Sequence, residues 1–325
     1  MTTLVTGASG FVGGQLIRRL QREGYRVRAF ARPVPSADAL RQQGFEVSTG
    51  DIRDAQAIDR AMAGCDTVFH VAALYRSDNV ADQEFRDVNV EGTRHVLDAA
   101  QRQGVRRVVH VSTAGVHGHI ANPPADETYS FGPRDAYQQS KLDGELLAQR
   151  YFANGLAGAI VRPVGIYGPG DTRFLKLFKA IQRGYFVMLG DGQTLYHMTY
   201  IDDLVDGMLL CAQRPEAPGQ AFIIGGGDVV TIGELARRIA QALGVSQPRW
   251  RMPLWPFEAA APICQRVCRA ISVEPPLYPR RLEFFTDDRA FSIDKAKRLL
   301  GYRPTIGLDE GIRRTIQWYR EQGKL

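Results

Sequence analysis

The sequence predicts an α/β fold, a doubly wound parallel sheet carrying a smaller C-terminal α/β lobe, and three observations lead there. The first is a strand–turn–helix at the start of the chain, Thr3-Leu-Val-Thr-Gly-Ala-Ser-Gly-Phe-Val-Gly13. The second is a repeated alternation of short apolar runs with helical patterns of roughly 10–20 residues, which reads as βαβ units on a parallel sheet. The third is the loosening of that alternation beyond about residue 165, before an aromatic- and proline-rich passage from Trp250 to Tyr278.

In the opening stretch, Leu4-Val5 ends in Thr6-Gly7, and Leu16, Ile17 and Leu20 then share one helical face. Glycines 7, 10 and 13 are spaced G-x-x-G-x-x-G, one residue longer than the G-x-G-x-x-G dinucleotide fingerprint. Gly7 permits a sharp turn, Gly10 lets backbone approach a pyrophosphate, and Gly13 lets the helix press against the sheet. Free N–H groups and the positive end of the helix dipole then face an anion. Ser9, Gly10, Phe11, Val12 and Gly13 are thus expected around a dinucleotide's diphosphate.

The second strand, 26–31, ends at Ala31-Arg32. An acidic residue there would accept from the 2′-hydroxyl of NAD, whereas an Arg accommodates the 2′-phosphate of NADP. NADP(H) is therefore favoured and NAD(H) is the alternative, a solvated surface Arg32 being the plainer reading of that residue. A third strand, 45–48, leads to Gly50-Asp51-Ile52, where Asp51 and Ile52 could hold the adenine. After a helix at 55–62, strand 67–71 closes on the small pair Ala72-Ala73, suited to close passage of a ligand. A long helix, about 82–102, carries Asn89. Strand 107–111 ends at Ser112-Thr113, and Tyr137-Gln-Gln-Ser-Lys141 opens a helix to about 153. Tyr137 and Lys141, four apart, project from the same face. Strand 158–162 runs into Pro163-Val164 and then Tyr167-Gly-Pro169. Further helices are expected at 172–183, from Tyr200-Ile-Asp-Asp203, and at 231–243, 292–300 and 308–322, with a strand at 221–224.

Composition narrows the function classes. The 325 residues carry a net charge of +6, and the basic residues are scattered, so nucleic-acid binding gets no support. No apolar run approaches the roughly 18 residues of a membrane span. The first strand begins at Thr3, so no signal peptide is expected. The four cysteines lack metal or redox spacing, Cys264 and Cys268 reading as i, i+4 packing residues, and no metal site is expected. A reducing cytoplasm is the expected location.

Taken together, Gly7/Gly10/Gly13, His70-x-Ala-Ala73, Asn89, Ser112-Thr113, Tyr137-x-x-x-Lys141 and Arg162-Pro163…Tyr167-Gly-Pro169 resemble the extended short-chain dehydrogenase/reductases, which include NAD-dependent epimerases and dehydratases. The resemblance covers the whole chain. It implies a Rossmann-type dinucleotide domain over 1–165, its sheet completed by segments around 196–224, and a mainly substrate-binding lobe over 166–325. It also implies a homodimer through the helices at 82–102 and 137–153.

The chemistry follows from the residues. Moving hydride between a nicotinamide and a carbinol carbon requires a proton to enter or leave the oxygen. A phenol's ordinary pKa is about 10, and bringing it near 7 takes roughly 4 kcal/mol of preferential stabilisation of the phenolate. Lys141 supplies a cation one turn along from Tyr137. By resemblance, Lys141 also bonds the nicotinamide ribose, and Thr113 is the catalytic Ser/Thr whose hydroxyl bonds the substrate oxygen, with Ser112 as its understudy.

Among the reactions of these proteins, dehydration is discounted, because Ala114-Gly115 stands where the sugar dehydratases carry Asp-Glu. The nucleotide-sugar epimerases usually hold their phosphate with an Arg where this chain has Tyr196; Arg280 and Arg281 could substitute. Phe291-Ser-Ile-Asp-Lys-Ala-Lys-Arg-Leu-Leu-Gly-Tyr302 and the Trp250–Tyr278 passage look like the 3β-hydroxysteroid dehydrogenase-like branch. That passage reads either as core packing or as a wall for a bulky apolar substrate. The expected activity is interconversion of a secondary alcohol and a ketone. A nucleotide-sugar epimerase is the alternative, and a dinucleotide sensor without catalysis the third reading, one with no need of Thr113, Tyr137 and Lys141.

Overall fold

A computed structural model describes residues 1–75, 80–270, 273, 277 and 279–325, without the side chains of 269, 270 and 280. Seven strands form the central sheet: β1 (Thr2–Thr6), β2 (Arg26–Ala31), β3 (Glu46–Thr49), β4 (Thr67–His70), β5 (Arg107–Val111), β6 (Gly158–Pro163) and, later in the chain, β10 (Ala221–Ile224). Their order is β3-β2-β1-β4-β5-β6-β10, and every pairing is parallel. The chain starts at β1, winds outward to β3, then crosses back to β4 on the other side. The switch point between β1 and β4 opens a crevice at the strands' carboxyl ends, the place where such sheets bind ligands.

Helices cover both faces. One layer holds α1 (Phe11–Arg22), α2 (Pro35–Gln42) and α8 (Ile201–Gln213); α1 packs on α8, and α8 on β5 and β6. The other holds α3 (Ala55–Met62), α5 (Gly92–Arg102) and α6 (Ala136–Ala153), with α5 between its neighbours. The long helix expected at 82–102 is interrupted: α4 (Asp82–Arg86) passes through a π-helical turn, Asp87–Glu91, before α5. Two separate apolar cores result, one on each face of the sheet.

Beyond β6 the chain builds a lobe and also completes the sheet. β10 adds to the outer edge beside β6, whereas β9 (Leu195–Tyr200), also within the stretch expected to complete the sheet, joins β7 (Gly165–Tyr167) and β11 (Val229–Thr231) in a three-stranded sheet. Around it lie α7 (Leu175–Gln182), α9 (Ile232–Leu243) and α13 (Leu308–Glu321), with α12 (Asp294–Leu300) against β10. A two-stranded pair, β8 (Met188–Leu189) and β12 (Arg251–Met252), leads into α10 (Trp255–Ala270) and α11 (Pro279–Thr286).

The Trp250–Tyr278 passage corrects the sequence reading. None of its described residues lines the central cavity. Trp250 and Trp255 are each 70% exposed and Ile263 62%, so it is mostly not core either. The inward residues of α10, Phe257 and Ala261, pack with Leu282 and Phe285 of α11 and with Leu189 of β8. That contact uses the helix's inner face and leaves the rest in solvent. Ile271, Tyr278 and the side chain of Arg280 lie outside the described residues.

Candidate active site

The dinucleotide turn is shaped by two glycines. Gly7 sits at φ +69°, and a Cβ on it would lie 2.8 Å from the Ala72 backbone. A Cβ on Gly13 would lie 2.2 Å from the Gly7 carbonyl oxygen, so the first turn of α1 can rest on the strand end only without a side chain there. The helix begins at Gly10 with no side-chain cap and no acidic residue in its first turn, leaving its N-terminal N–H groups for an anion. These features fit the diphosphate of a dinucleotide.

The residues expected to hold the cofactor line one cavity of about 870 Å³ together with Ser112, Thr113, Tyr137, Lys141, Tyr196 and Arg281, and Asn89 does not line it. Where the cavity reaches the end of β2, Arg32 is exposed. Beside it, Arg53 grips the Asp51 carboxylate through Nε (2.9 Å) and Nη2 (2.8 Å) and holds that carboxyl below its ordinary range. The sequence carries no signal for Arg53, whose side chain occupies both oxygens of the expected adenine contact. Ile52 is buried.

At the chemical end, α6 presents Tyr137 and Lys141 from one face, both buried. The helix is started there by Asp135, whose carboxylate accepts the Gln138 N–H (2.7 Å). The Tyr137 ring meets Tyr75 (5.3 Å between centroids) and Phe85 (6.2 Å) edge-on. Lys141 Nζ donates to the Val111 carbonyl (2.8 Å), where β5 ends. Burial lowers its pKa to about 8, against the opposing effect of Glu145. Thr113 Oγ1 accepts the Gly115 N–H (3.1 Å), which leaves its own O–H to donate. Ser112 is buried, and its hydroxyl has no hydrogen-bond partner among the described residues.

Asn89 stands outside the cavity, with its side chain fully engaged. Its Oδ1 accepts the Leu74 N–H (2.7 Å), and Nδ2 donates to the Leu74 carbonyl (3.1 Å) and to Ser140 Oγ (2.9 Å). Ser140 Oγ in turn donates to the Tyr137 carbonyl (2.9 Å). The π-helical turn places this amide between the post-β4 segment and α6.

The network continues under the switch point. Thr6 Oγ1 accepts the N–H groups of Val71 and Ala72 (both 3.1 Å), so its proton goes to His70 Nδ1 (2.9 Å). His70 Nε2–H then donates to Thr93 Oγ1 (2.9 Å), which donates to the Asn89 carbonyl (2.7 Å). Burial pushes His70 down to about 3, with the Lys141 charge adding to the effect. His110, whose ring lies 5.3 Å from that of His70, is lowered well below its ordinary value for the same two reasons and by His70 itself. Two neutral imidazoles thus lie near Lys141. Thr6, Thr93 and Ser140 carried no sequence signal, because hydroxyls are common and their partners lie up to 66 residues away.

The far wall is aromatic. Phe174, Tyr196 and Phe284 follow one another edge-on, at 6.3 and 5.4 Å between centroids, and Tyr75 and Phe291 also line the cavity. Arg281 lies on this wall; Arg289, also on it, is paired with Glu283 (3.0 Å).

The profile of the NAD dependent epimerase/dehydratase family matches residues 3–225. The chain belongs to this family. Within it, the chain is 34% identical to a 3 beta-hydroxysteroid dehydrogenase/Delta 5→4-isomerase of Mycobacterium tuberculosis, over 97% of this chain and 90% of that protein. It is also similar to the sterol-4-alpha-carboxylate 3-dehydrogenase (decarboxylating) of Mus musculus, at 30% identity over 98% and 91% of the two chains. Among solved structures, a dTDP-glucose 4,6-dehydratase of Streptomyces venezuelae with NAD bound superposes with a TM-score of 0.79 at 27% identity, covering 99% of this chain and 97% of the other. This member of the epimerase/dehydratase family is an extended short-chain dehydrogenase/reductase and an NAD(P)-dependent enzyme.

Proposed function

We propose that the protein interconverts a secondary alcohol and a ketone on a bulky, largely apolar, hydroxysteroid-like substrate. The observation that carries this reading is the ring wall of Phe174, Tyr196 and Phe284, in the same cavity as Thr113 and Tyr137. Burial against such a wall contributes about 25 cal/mol per Å² of apolar surface. The similarity to two sterol-acting dehydrogenases supports the same substrate class.

In this reading a bound nicotinamide supplies the hydride acceptor or donor. Tyr137 takes or returns the proton of the substrate oxygen. Lys141 favours the phenolate with its charge and is the residue to hold the nicotinamide ribose. Thr113 donates its O–H to the substrate oxygen, and Ser112 is a second hydroxyl in reach of the cavity. Asn89 acts as a positioning residue, tying the segment at Leu74 to the helix that carries Tyr137. Pro163 and Val164 would contact the cofactor, and Arg32 would favour NADP(H) over NAD(H) through the 2′-phosphate. Homodimerisation through α5 and α6, which pack side by side, completes the proposal; light scattering that reports only monomer at micromolar concentration would overturn it.

A second reading, nucleotide-sugar epimerisation, has Arg281 on the cavity wall in its favour. The two separate in a panel. With NADP⁺ or NAD⁺ present, 3β-hydroxysteroids should drive stoichiometric reduced-cofactor formation, while UDP, GDP and TDP sugars bind more weakly than about millimolar. Tight, salt-sensitive binding of a nucleotide sugar, lost in Arg281→Ala, decides for the epimerase.

A further inference from the structure

Residues 168–174, which follow β7, are fastened to the dinucleotide turn from the C-terminal lobe. Gln15 Nε2, one turn into α1, donates to the Pro169 carbonyl (2.8 Å). Four residues on, the Arg173 guanidinium lies over the ring of Phe11, the first residue of α1, at 5.3 Å from its centroid. The same guanidinium is 5.6 Å from the Tyr75 ring, and Tyr75 meets the Tyr137 ring edge-on. Arg173 therefore links the first residue of α1, through Phe11, to the ring that touches Tyr137.

It is held there. Nε donates to Asp171 Oδ1 (2.5 Å) and Nη2 to the Ile166 carbonyl (2.7 Å), while buried Asp171 Oδ2 accepts the Phe174 N–H (3.3 Å). No described residue takes a hydrogen bond from Nη1, although Arg173 lines the cavity. A planar cation with unused donors, beside an uncapped helix N-terminus, suits a phosphate oxygen. We propose that Arg173 is a cationic contact for the cofactor's diphosphate, contributed by the C-terminal lobe and aimed by Asp171. The proposal rests on the dinucleotide reading of this cavity and adds a ligand contact outside the glycine turn.

Calorimetric titration with ADP-ribose, NADH, NADPH and adenosine tests it, because the first three share the diphosphate and adenosine lacks it. Arg173→Gln should weaken ADP-ribose, NADH and NADPH alike, by about 10–100-fold, the range of a charge-assisted hydrogen bond. Adenosine affinity should not move. Arg32→Gln provides the contrast, weakening NADPH and sparing NADH and ADP-ribose. Wild-type affinity for ADP-ribose should also fall more steeply with added KCl than that of the variant. If Arg173→Gln does not fold, Arg173→Lys, which keeps the charge and loses the planar fork, should show a smaller loss of the same pattern. Unchanged ADP-ribose affinity in a folded variant, or a loss confined to substrate KM, overturns the role of Arg173. A wild type that binds no ADP-ribose overturns the dinucleotide reading itself.

Discussion

On one side of the cleft the dinucleotide turn is made of backbone; on the other, the wall is made of rings gathered from distant segments. Gly7 and Gly13 work by lacking side chains, within the first 13 residues and against strands in full parallel register. The rings of Phe174, Tyr196, Phe284 and Phe291 come from four segments spread over more than 100 residues. A backbone site is inherited with the fold, since a sheet of this order always opens the same crevice. A wall of side chains can be rebuilt one ring at a time without disturbing that sheet. The comparison explains how relatives with NAD bound superpose on this chain while differing in substrate.

The largest test of the division is Tyr137→Phe. The ring contacts with Tyr75 and Phe85 survive the change, so the fold and the cofactor half should be undisturbed. Turnover should fall by about 10²–10⁴-fold, the usual contribution of a positioned acid–base group. Cofactor titration should stay near wild type. Near-normal turnover would sink the proton-transfer role; a parallel loss of cofactor affinity would show that the two halves are not separable at this residue.

The same division governs what the sequence makes legible. Glycine spacing, continuous apolar strands and the Tyr137–Lys141 interval are local patterns, and β2, α3, β5 and β10 begin and end where periodicity places them. The π-helical turn at Asp87–Glu91 has no such pattern, because its cause is tertiary: Asn89 reaches Leu74 and Ser140 at once. Arg173 has no local signal for the same reason, since the rings it meets, Phe11 and Tyr75, lie about 100 or more residues before it in the chain. The Trp250–Tyr278 passage misleads in the opposite sense. Its helical spacing is real, but periodicity cannot say how much of an apolar face finds a partner, and α11 and β8 supply one only for Phe257 and Ala261.

A smaller effect sharpens the boundary between the halves at Lys141, which is proposed to serve both. Its ammonium is buried under β5 and flanked by two neutral imidazoles, and its pKa drops from 10.5 to about 8. The unfolded chain therefore holds this proton up to about pH 10.5, while the folded one releases it near 8. Below pH 8 both states are protonated, and the folded state bears the full cost of the buried charge. Between pH 8 and 10.5 the unfolded state binds more protons, so stability rises with pH. At roughly 1.4 kcal/mol per pKa unit, the span is worth about 3 kcal/mol. Urea denaturation without cofactor should thus show wild type gaining on Lys141→Met across that window, with the variant ahead at pH 7. Lys141→Met should at the same time lower both turnover and cofactor affinity, since the proposed role of the ammonium is to favour the phenolate and to hold the ribose. A stability difference that is flat from pH 7 to 10.5 would mean that Lys141 titrates as an ordinary solvated lysine, and its charge would then be too well screened by water to lower the Tyr137 phenol.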